Sequence, residues 1–438
     1  MGYQQMTPIQ AQSLPAILAG ADIIGEAKTG SGKTAVFVLG ILNQIALKAF
    51  YAQALILCPT RELADQVAQS TRQLARCLPN CKILTLCGGT PMGPQLNSLK
   101  HGAHIIVGTP GRVEAHLRKG SLQLERLRCF VLDEADRMLD MGFSDSLNQI
   151  ISCLPDKRQT LLFSATFPQA IASMSKRVCV NPQHIKPETT LQHQQIRQQF
   201  YHIGKTDRFD ALSQLLLHFK PERSVIFCNT KSEAMALSEQ LKTAGFSAAA
   251  LQGDLEQKQR DQTLIKFSNL SLSILVATDV AARGLDIDEL AYVFNYQIAR
   301  DLSAHVHRIG RTGRANNQGI ACTLFNEQEI DKKNKLENYL GYKCQVHILP
   351  DTVKQHNKPV KPPMSTLVIN LGKKQKIRPG DIVGAITAAK TIYSTDLGKI
   401  HIKHAQSYIA VKADKINLAQ QQLQQSKIKG KNCQVRQG

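Results

Sequence analysis

The sequence lacks the features of membrane and secreted proteins. None of its apolar runs approaches the roughly 18 residues needed to cross a bilayer, and its start does not join a basic region to an apolar one, as a signal peptide would. Its eleven cysteines form neither a disulfide framework nor a paired Cys-x-x-Cys metal motif. We interpret them as small buried or half-buried thiols, and we expect a cytoplasmic protein.

Acidic side chains are scarce compared with basic ones. The 34 Asp and Glu residues face 54 Lys and Arg residues, which gives a formal net charge of +20. This sign indicates a polyanionic partner, with nucleic acid as the leading class; a basic surface without a partner is the alternative. Residues 364–438 hold thirteen Lys or Arg and only three Asp, so half of the excess lies in the last sixth of the chain. This asymmetry favours a nucleic-acid-binding tail.

Short apolar runs bounded by Gly, Pro, Thr or Asp alternate with helical patterns in two successive segments. This alternation predicts parallel sheets with helices on both faces. The predicted strands are 23–24, 54–58, 104–107, 130–132 and 161–163 in the first segment and 225–228, 274–277 and 292–294 in the second. We interpret the polar stretch 181–199 as the linker between the segments.

The end of the chain has a different pattern. Residues 350–364 contain four prolines and almost nothing apolar, which is typical of a linker. After them we predict strands at 367–369, 398–402, 408–411 and near 432–435, with helices at 382–391 and 416–425. The resulting β-α-β-β-α-β order is that of ferredoxin-like RNA-recognition modules.

A phosphate-binding loop follows the first predicted strand. Gly30, Ser31 and Gly32 let backbone N–H groups face a phosphate, and the next helix adds its positive N-terminal end. Lys33 is placed to reach the β- and γ-phosphates, and Thr34 is placed to bind Mg²⁺. The pattern alone also occurs by chance, so a second motif is needed to support it.

The acidic tetrapeptide at 133–136 supplies that second motif. It follows a predicted buried strand, where three carboxylates in four residues are costly unless a cation is close. Asp133 is placed to bind Mg²⁺, directly or through water, and Glu134 to orient and activate the attacking water. The two motifs together predict hydrolysis of a nucleoside triphosphate.

An arginine-rich stretch at 307–314 lies in the second segment, which has no phosphate loop of its own. A solvated basic loop would be one interpretation. An arginine finger for the first segment is the other, and such a finger contributes about 10³–10⁵-fold in rate. The position in a second α/β segment favours the finger.

With these motifs, residues 3–325 resemble the DEAD-box ATP-dependent RNA helicases of helicase superfamily two. The resemblance implies two RecA-like domains in tandem, which close around ATP and RNA and open after hydrolysis. We expect these domains at 1–188 and 196–349, a linker at 350–364 and a small α+β RRM-like RNA-binding domain at 365–438. The ATP-binding residues implied by the resemblance are Gln10, Ala27, Lys28, Thr29, Gly30, Ser31, Gly32, Lys33, Thr34 and Asp286.

The resemblance also assigns the remaining core residues. The catalytic set it implies is Lys33, Asp133, Glu134, Arg311 and Arg314, with the two arginines as fingers. Residues implied to couple ATP state to unwinding are Asp136, Ser164, Thr166 and His307, with His307 facing Asp136. Implied RNA contacts of the core are Arg61, Gly89, Thr109, Gly111, Arg112, Arg260 and Thr278. Such groups suit phosphates and 2′-hydroxyls, so we expect the core to bind RNA without sequence preference.

The tail resembles the C-terminal RNA-binding domain of bacterial helicases of the DbpA type at 376–387, 398–400 and 407–411. This implies a monomer that uses ATP and Mg²⁺ to unwind short RNA duplexes in 23S rRNA during assembly of the large (50S) ribosomal subunit. The usual stacking positions hold Val368 and Val411, so we expect readout by a basic loop instead. The expected contacts of the tail are Lys374, Lys376, Arg378, Lys403 and Tyr408. A core role for Tyr408 is the alternative.

One departure from the family concerns the beginning of the sequence. In the family an aromatic residue that stacks on adenine lies upstream of a Gly-Tyr pair, and here Gly2-Tyr3 opens the sequence. We expect the natural start to lie further upstream, and an extension that restores the aromatic residue to lower KM for ATP. An RNA-binding scaffold without ATPase activity and a processive DNA helicase are the alternative functions.

Overall fold

A computed structural model of the chain describes residues 5–27, 30–187, 196–282, 290–313, 318–350 and 358–438. Contacts divide the described residues into two units. One contains the described residues up to 187, and the other contains the described residues from 196 onward. In these ranges no helix is both long and apolar enough to span a bilayer.

The first unit, here called the first domain, is built on a parallel seven-stranded sheet of order β3-β4-β2-β5-β6-β1-β7. Its strands are β1 (Ile23–Glu26), β2 (Ala54–Leu57), β3 (Ile83–Leu86), β4 (Ile105–Gly108), β5 (Cys129–Asp133), β6 (Gln159–Ser164) and β7 (Gln183–Ile185). Its helices are α1 (Pro8–Leu18), α2 (Lys33–Gln44), α3 (Arg61–Leu74), α4 (Met92–Lys100), α5 (Pro110–Arg118), α6 (Ala135–Asp140), α7 (Ser144–Ser152) and α8 (Gln169–Val178).

The central strands of this sheet are apolar because both faces are covered. Along β5, Phe130 and Leu132 pack into one core cluster, and Cys129 and Val131 pack into another. A strand buried on both sides is an unbroken apolar run rather than an alternating one. This double burial explains why the central strands were recognisable in the sequence.

The second unit begins with another parallel seven-stranded sheet, of order β10-β11-β9-β12-β13-β8-β14, which we call the second domain. Its strands are β8 (Ile196–His202), β9 (Ser224–Cys228), β10 (Ala248–Leu251), β11 (Ile274–Thr278), β12 (Tyr292–Asn295), β13 (Gly319–Phe325) and β14 (Val346–His347). Its helices are α9 (Arg208–Phe219), α10 (Lys231–Thr243), α11 (Gln257–Ser268), α12 (Asp279–Ala282), α13 (Leu302–Ile309) and α14 (Ile330–Leu340).

The chain ends in an antiparallel four-stranded sheet of order β16-β17-β15-β18, the third domain. Its strands are β15 (Met364–Ile369), β16 (Leu397–Ile402), β17 (Ser407–Lys412) and β18 (Val435–Gln437), and its helices are α15 (Pro379–Thr387) and α16 (Ile416–Gln425). Two tandem RecA-like sheets and a small α+β domain confirm the predicted fold class. The predicted helix 382–391 is shifted, because Pro379 occupies its first turn, where a missing N–H is tolerated.

The predicted linker at 181–199 is partly wrong. Gln183–Ile185 pairs with β1, and Ile196–His202 pairs with β13 along its whole length. Only 188–195 of this stretch lies outside the described residues. Strand β7 lies at the edge of the sheet, and its residues Gln183 and His184 are exposed. A strand in this position can carry Gln and His side chains, so the polar composition of the stretch was not evidence against a strand.

Candidate active site and nucleic-acid interface

Three neighbouring strands of the first domain end at one edge of its sheet. Glu26 at the end of β1 is in register with Ser164 at the end of β6, and Asp133 at the end of β5 is in register with Phe163. Ligands of open α/β sheets bind beyond such carboxyl ends. The phosphate loop, the acidic tetrapeptide and the Ser164–Thr166 motif therefore meet at one place.

The phosphate loop uses glycine where the backbone requires it. Gly30 and Gly32 have φ values of +81° and +90°, and Gly32 directly precedes α2. A Cβ on Gly32 would lie 2.5 Å from Nε2 of Gln10, which donates a hydrogen bond of 3.2 Å to the Gly32 carbonyl. Thr7 Oγ1 donates to the carbonyl of Ser31 at 2.7 Å. The N-terminal helix thus holds the loop from one side.

The first two residues of the acidic tetrapeptide each face a cation. Asp133 Oδ1 lies 3.4 Å from Lys33 Nζ, and Glu134 Oε2 lies 3.3 Å from Arg137 Nη1, with all four side chains at most 5% exposed. Burial raises the pKa of the Asp133 carboxyl; Lys33 opposes this rise and Glu134 adds to it. Glu134 has a φ of +56°, a left-handed conformation rare for a residue with a side chain.

Asp136, the last residue of the tetrapeptide, connects β5 to the end of β6. Its Oδ2 accepts hydrogen bonds from Thr166 N at 2.9 Å and Thr166 Oγ1 at 2.7 Å, and its backbone N–H donates to Ser164 Oγ at 3.3 Å. Ser164 Oγ in turn donates to the Thr166 carbonyl at 2.6 Å. Three of the four residues expected to couple ATP state to unwinding are therefore in direct contact.

Several buried polar atoms at this edge fit a phosphate and a divalent cation. Ser31 Oγ has no hydrogen-bond partner among the described residues, and Lys33 Nζ and Asp133 Oδ1 have only their mutual ion pair. Buried polar atoms with unused hydrogen-bonding capacity mark places where a ligand supplies the partner. Hydroxyl and carboxylate oxygens are ligands that Mg²⁺ accepts, and an ammonium group suits phosphate. Lys28 and Thr29 of the same loop lie outside the described residues.

The expected RNA contacts of the first domain cluster beside this edge. The guanidinium of Arg61 lies over Gly88 and Gly89, so that a Cβ on Gly89 would be 1.6 Å from Arg61 Nη1. Arg112 donates to the Thr90 carbonyl at 3.0 Å and to Gln95 Oε1 at 3.2 Å. Thr109 precedes α5, and Gly111 lies in its first turn.

In the second domain, the guanidinium of Arg308 from the 307–314 stretch is used entirely inside the domain. Arg308 is 1% exposed and forms a two-pronged ion pair with Asp279, with Nε–Oδ1 and Nη2–Oδ2 distances of 2.6 and 2.8 Å. It also donates to Asn229 and to the Gln297 carbonyl, so its donors are used inside the domain. Arg308 is therefore a structural residue.

The other expected residues of the second domain are located as follows. Arg311 is 4% exposed and follows α13, whereas His307 is half-buried within that helix. Thr278 Oγ1 accepts from Ala281 N at 3.4 Å, and Arg260 Nη2 donates to the Ala281 carbonyl at 2.8 Å, so two expected RNA contacts meet at α12. Asp286 and Arg314 lie outside the described residues.

The third domain has one face of its sheet covered by α11 of the second domain. Tyr408 and Val368 pack against Ile265, and all three are at most 5% exposed. Tyr408 was expected to contact RNA, and its burial contradicts a base-stacking role; the alternative of a core position is correct. Lys403, another expected RNA contact, forms an ion pair with Asp261 of α11 at 3.0 Å but keeps a side chain 47% exposed.

The loop between β15 and α15 presents cations to solvent. Lys373, Lys374, Lys376 and Arg378 are all exposed, while Ile377 between the last two is buried in the core of the domain. Ile377 therefore turns its neighbours outward. Asp381 Oδ2 accepts from Arg378 N at 2.8 Å, which ties the end of this loop to the first turn of α15.

Comparison with known proteins matches all three domains. The profile of the DEAD/DEAH box helicase family matches residues 7–174, that of the helicase conserved C-terminal domain matches 207–316, and that of the DbpA RNA binding domain matches 366–437. The chain is 51% identical to the ATP-dependent RNA helicase DbpA of Escherichia coli (strain K12), over 100% of this chain and 95% of that protein. This chain belongs to the DbpA-type DEAD-box RNA helicases.

Other relatives agree with this DEAD-box assignment. The ATP-dependent RNA helicase DeaD of Buchnera aphidicola subsp. Baizongia pistaciae (strain Bp) is 44% identical over 80% of this chain and 58% of that protein. Among solved structures, S. cerevisiae Dbp5 bound to RNA and ADP BeF3 is similar with a TM-score of 0.73, at 30% identity over 80% of this chain and 92% of that one. The chain is thus an ATP-dependent RNA helicase with an RNA-binding domain.

Sequence reasoning missed two residues that organise the site of this DEAD-box helicase. Gln95 donates to the Cys87 carbonyl and to Thr90 Oγ1 and accepts from Arg112, so it joins two RNA motifs. Arg137 faces Glu134 from inside α6. A buried glutamine gives no signal in a single sequence. Arg137 lies three residues after Glu134, a spacing that brings helical side chains together and could have suggested the pair.

Proposed function

We propose that RNA-stimulated, Mg²⁺-dependent ATP hydrolysis by this chain drives local unwinding of short RNA duplexes, and that its third domain directs it to 23S rRNA in assembly of the large (50S) ribosomal subunit. We also propose that it acts as a monomer in the cytoplasm. The observation that carries the targeting is a group of exposed cations in loops of the third domain, on a domain whose sheet face is covered by α11.

In the catalytic part of the proposal, residues of the first domain hold ATP and the metal. Lys33 and the loop amides bind the phosphates, Thr34 and Asp133 bind Mg²⁺, and Glu134 orients the attacking water. When bound, Mg²⁺ would neutralise charge on the phosphates. The buried hydroxyl of Ser31, which has no hydrogen-bond partner among the described residues, and the Lys33–Asp133 ion pair beside it support this assignment.

The second domain supplies the remaining charge in the proposal. Arg311 and Arg314 stabilise the transition state, Asp286 contacts the ribose, and His307 pairs with Asp136 when the domains close. All three guanidinium nitrogens of Arg308 donate hydrogen bonds inside the second domain, which supports the choice of Arg311 and Arg314 as the fingers.

Five exposed cations of the third domain lie on two loops joined by a hydrogen bond, and we call them the basic rim: Lys373, Lys374, Lys376, Arg378 and Lys429. The loops that carry it are joined by hydrogen bonds. Backbone N–H groups of Lys373 and Lys374 donate to the carbonyls of Lys403 and His404, both at 2.9 Å, and Lys429 Nζ donates to the Lys376 carbonyl at 2.9 Å. A fixed array of cations suits the phosphates of a folded RNA better than bases of a single strand.

Paired variants test the targeting. We expect Lys374→Ala/Lys376→Ala to abolish the preference for a 23S rRNA fragment over an unrelated RNA of equal length, measured as RNA-stimulated ATP turnover. ATPase activity at saturating unrelated RNA should remain, because the core contacts are unchanged. Each lost phosphate contact should also reduce the slope of log K against log salt by about 1.

The control removes the same charge elsewhere on the third domain. Lys390 and Lys399 are exposed and lie outside the basic rim, so Lys390→Ala/Lys399→Ala should keep the preference. Equal loss of preference in both double variants would show a general charge effect and would refute targeting by the rim. Turnover without RNA dependence would refute the coupling of hydrolysis to RNA.

A further inference from the structure

Helix α11 has contacts of two kinds. Gln257 begins the helix, and Arg260 in its first turn is one of the expected RNA contacts and is bound to the Ala281 carbonyl of α12. Its other side carries the third domain. One short helix of twelve residues therefore borders both the helicase core and the accessory RNA-binding domain.

The third domain is held on α11 and the following turn by apolar and polar contacts. Ile265 packs between Val368 and Tyr408. Asn269 Nδ2 donates to Thr366 Oγ1 at 2.9 Å, and that hydroxyl donates to Ser271 Oγ at 2.8 Å. These contacts are buried or half-buried, and they fix the domain without any charged group.

Asp261 adds a charged connection beside this contact. Its Oδ1 accepts from Gln257 Nε2 at 2.9 Å, one helical turn earlier, and its Oδ2 pairs with Lys403 Nζ at 3.0 Å. Lys403 lies in the loop between β16 and β17, and its carbonyl accepts from the backbone N–H of Lys373 in the basic rim. Asp261 therefore contacts both the first turn of α11, which carries Arg260, and the loop that is hydrogen-bonded to the basic rim.

We propose that Asp261 is a positioning residue that holds the basic rim in register with Gln257 and Arg260, so that RNA bound at the rim is presented to the RNA motif of the core. The proposal rests on the proposed function, because it takes the rim to be the site of rRNA binding. One carboxylate oxygen of Asp261 accepts from Gln257 and the other pairs with Lys403. A single side chain can therefore hold a loop of the third domain against the N-terminal end of α11.

The same pair contributes little to folding. The side chains of Lys403 and Asp261 are 47% and 33% exposed, and water screens an ion pair at such a site, so the pair adds little to stability. The apolar contact around Ile265 would keep the third domain attached without it. Loss of Asp261 should therefore leave a folded protein that binds rRNA at the rim but responds to it less.

The test compares Asp261→Asn with wild type in the full chain, using a 23S rRNA fragment and poly(A) as RNA probes. An exposed ion pair can change a rate by no more than about 5-fold. We expect a fall of about 3–5-fold in the maximal ATPase rate with the 23S fragment, an unchanged KM for that RNA, and an unchanged rate with poly(A). Asp261→Glu, which keeps the carboxylate, should restore most of the rate.

The matched control is Glu239→Gln, which breaks the exposed Lys242–Glu239 pair at 2.7 Å on α10 and should change nothing. Asp261→Asn behaving like this control would overturn the proposal, and so would an equal loss with both RNAs, which would place the effect in the core alone. If the proposed function is wrong, the 23S fragment and poly(A) should stimulate the ATPase of the wild-type chain equally. That result would also refute the positioning role of Asp261, which depends on rRNA binding at the rim. A preference kept by wild type and by Asp261→Asn alike would refute only the coupling.

Discussion

Substitution of Arg308 tests whether the arginines of the 307–314 stretch have different roles. Arg308→Met keeps a long apolar stem but removes the guanidinium that holds Asp279. Asp279 is 25% exposed, so its carboxylate would be left largely buried and without this partner. The lost bonds also include those to Asn229 and to the Gln297 carbonyl, while Phe227 would lose the guanidinium stacked at 5.4 Å from its ring centre.

The size of the effect follows from these contacts. Breaking a buried ion pair from one side costs about 3–5 kcal/mol; the partial exposure of Asp279 points to the lower end, at about 3 kcal/mol. For a domain of about 150 residues, each kcal/mol lowers Tm by about 2–4 °C. We therefore expect the transition of the second domain to fall by about 6–12 °C.

Differential scanning calorimetry of the full chain measures this shift. Arg300 is exposed and is not one of the candidate-site residues, so Arg300→Met is the control and should change stability by less than about 0.5 kcal/mol. Arg311→Met should affect ATP turnover more than Arg308→Lys at a temperature where both variants are folded. A Tm for Arg308→Met within about 2 °C of wild type would refute the structural role of this arginine.

Three further predictions concern the first domain. Glu134→Gln should lower single-turnover ATP hydrolysis by about 10²–10⁴-fold while fluorescent-nucleotide binding is kept; a fall below tenfold would exclude it as the base. Gly89→Ala should raise KM for RNA in ATPase assays, because its Cβ would be 1.6 Å from Arg61 Nη1, whereas Gly93→Ala, with nothing within 4 Å, should not; equal KM values would contradict this. Burial raises the pKa of Asp133, so the acidic limb of the pH–activity profile of the ATPase should lie at a higher pH than an ordinary Asp would give. More Mg²⁺ should shift this acidic limb to lower pH, because the metal competes with the proton for the carboxylate. An acidic limb that does not depend on Mg²⁺ would argue against Asp133 as a ligand.

The sequence was sufficient for most central strands and for the residues around the phosphate loop, but the buried strand β13, between β12 and β8, was missed. Strands such as β5 are apolar on both faces, and the loop and the acidic tetrapeptide are local patterns that depend on backbone chemistry. Edge strands were missed, because β7 is half exposed and polar and β10 is a run of alanines. Such a segment becomes a strand because it pairs with a neighbouring strand that is distant in the sequence. The local pattern of polar and apolar residues contains no information about that neighbour.

The roles of long side chains were also beyond the sequence. Three arginines in one stretch look equivalent until Arg308 is found in the interior against Asp279. Tyr408 was the main aromatic residue of the predicted RNA-binding sheet, and the sequence left open whether it contacts RNA or lies in a core. In the structure Tyr408 packs against Ile265, which is 143 residues away in the chain. The sequence of the third domain alone does not predict this contact.

The ion pair between Lys33 and Asp133 has a consequence for the order of ligand binding. A triphosphate that drew Lys33 away on its own would leave the Asp133 carboxylate buried without its cation, and a cation that bound Asp133 alone would strand the Lys33 ammonium. Each ligand removes the penalty created by the other. Metal and nucleotide should therefore bind with positive heterotropic cooperativity, and each should raise the apparent affinity for the other by the same factor.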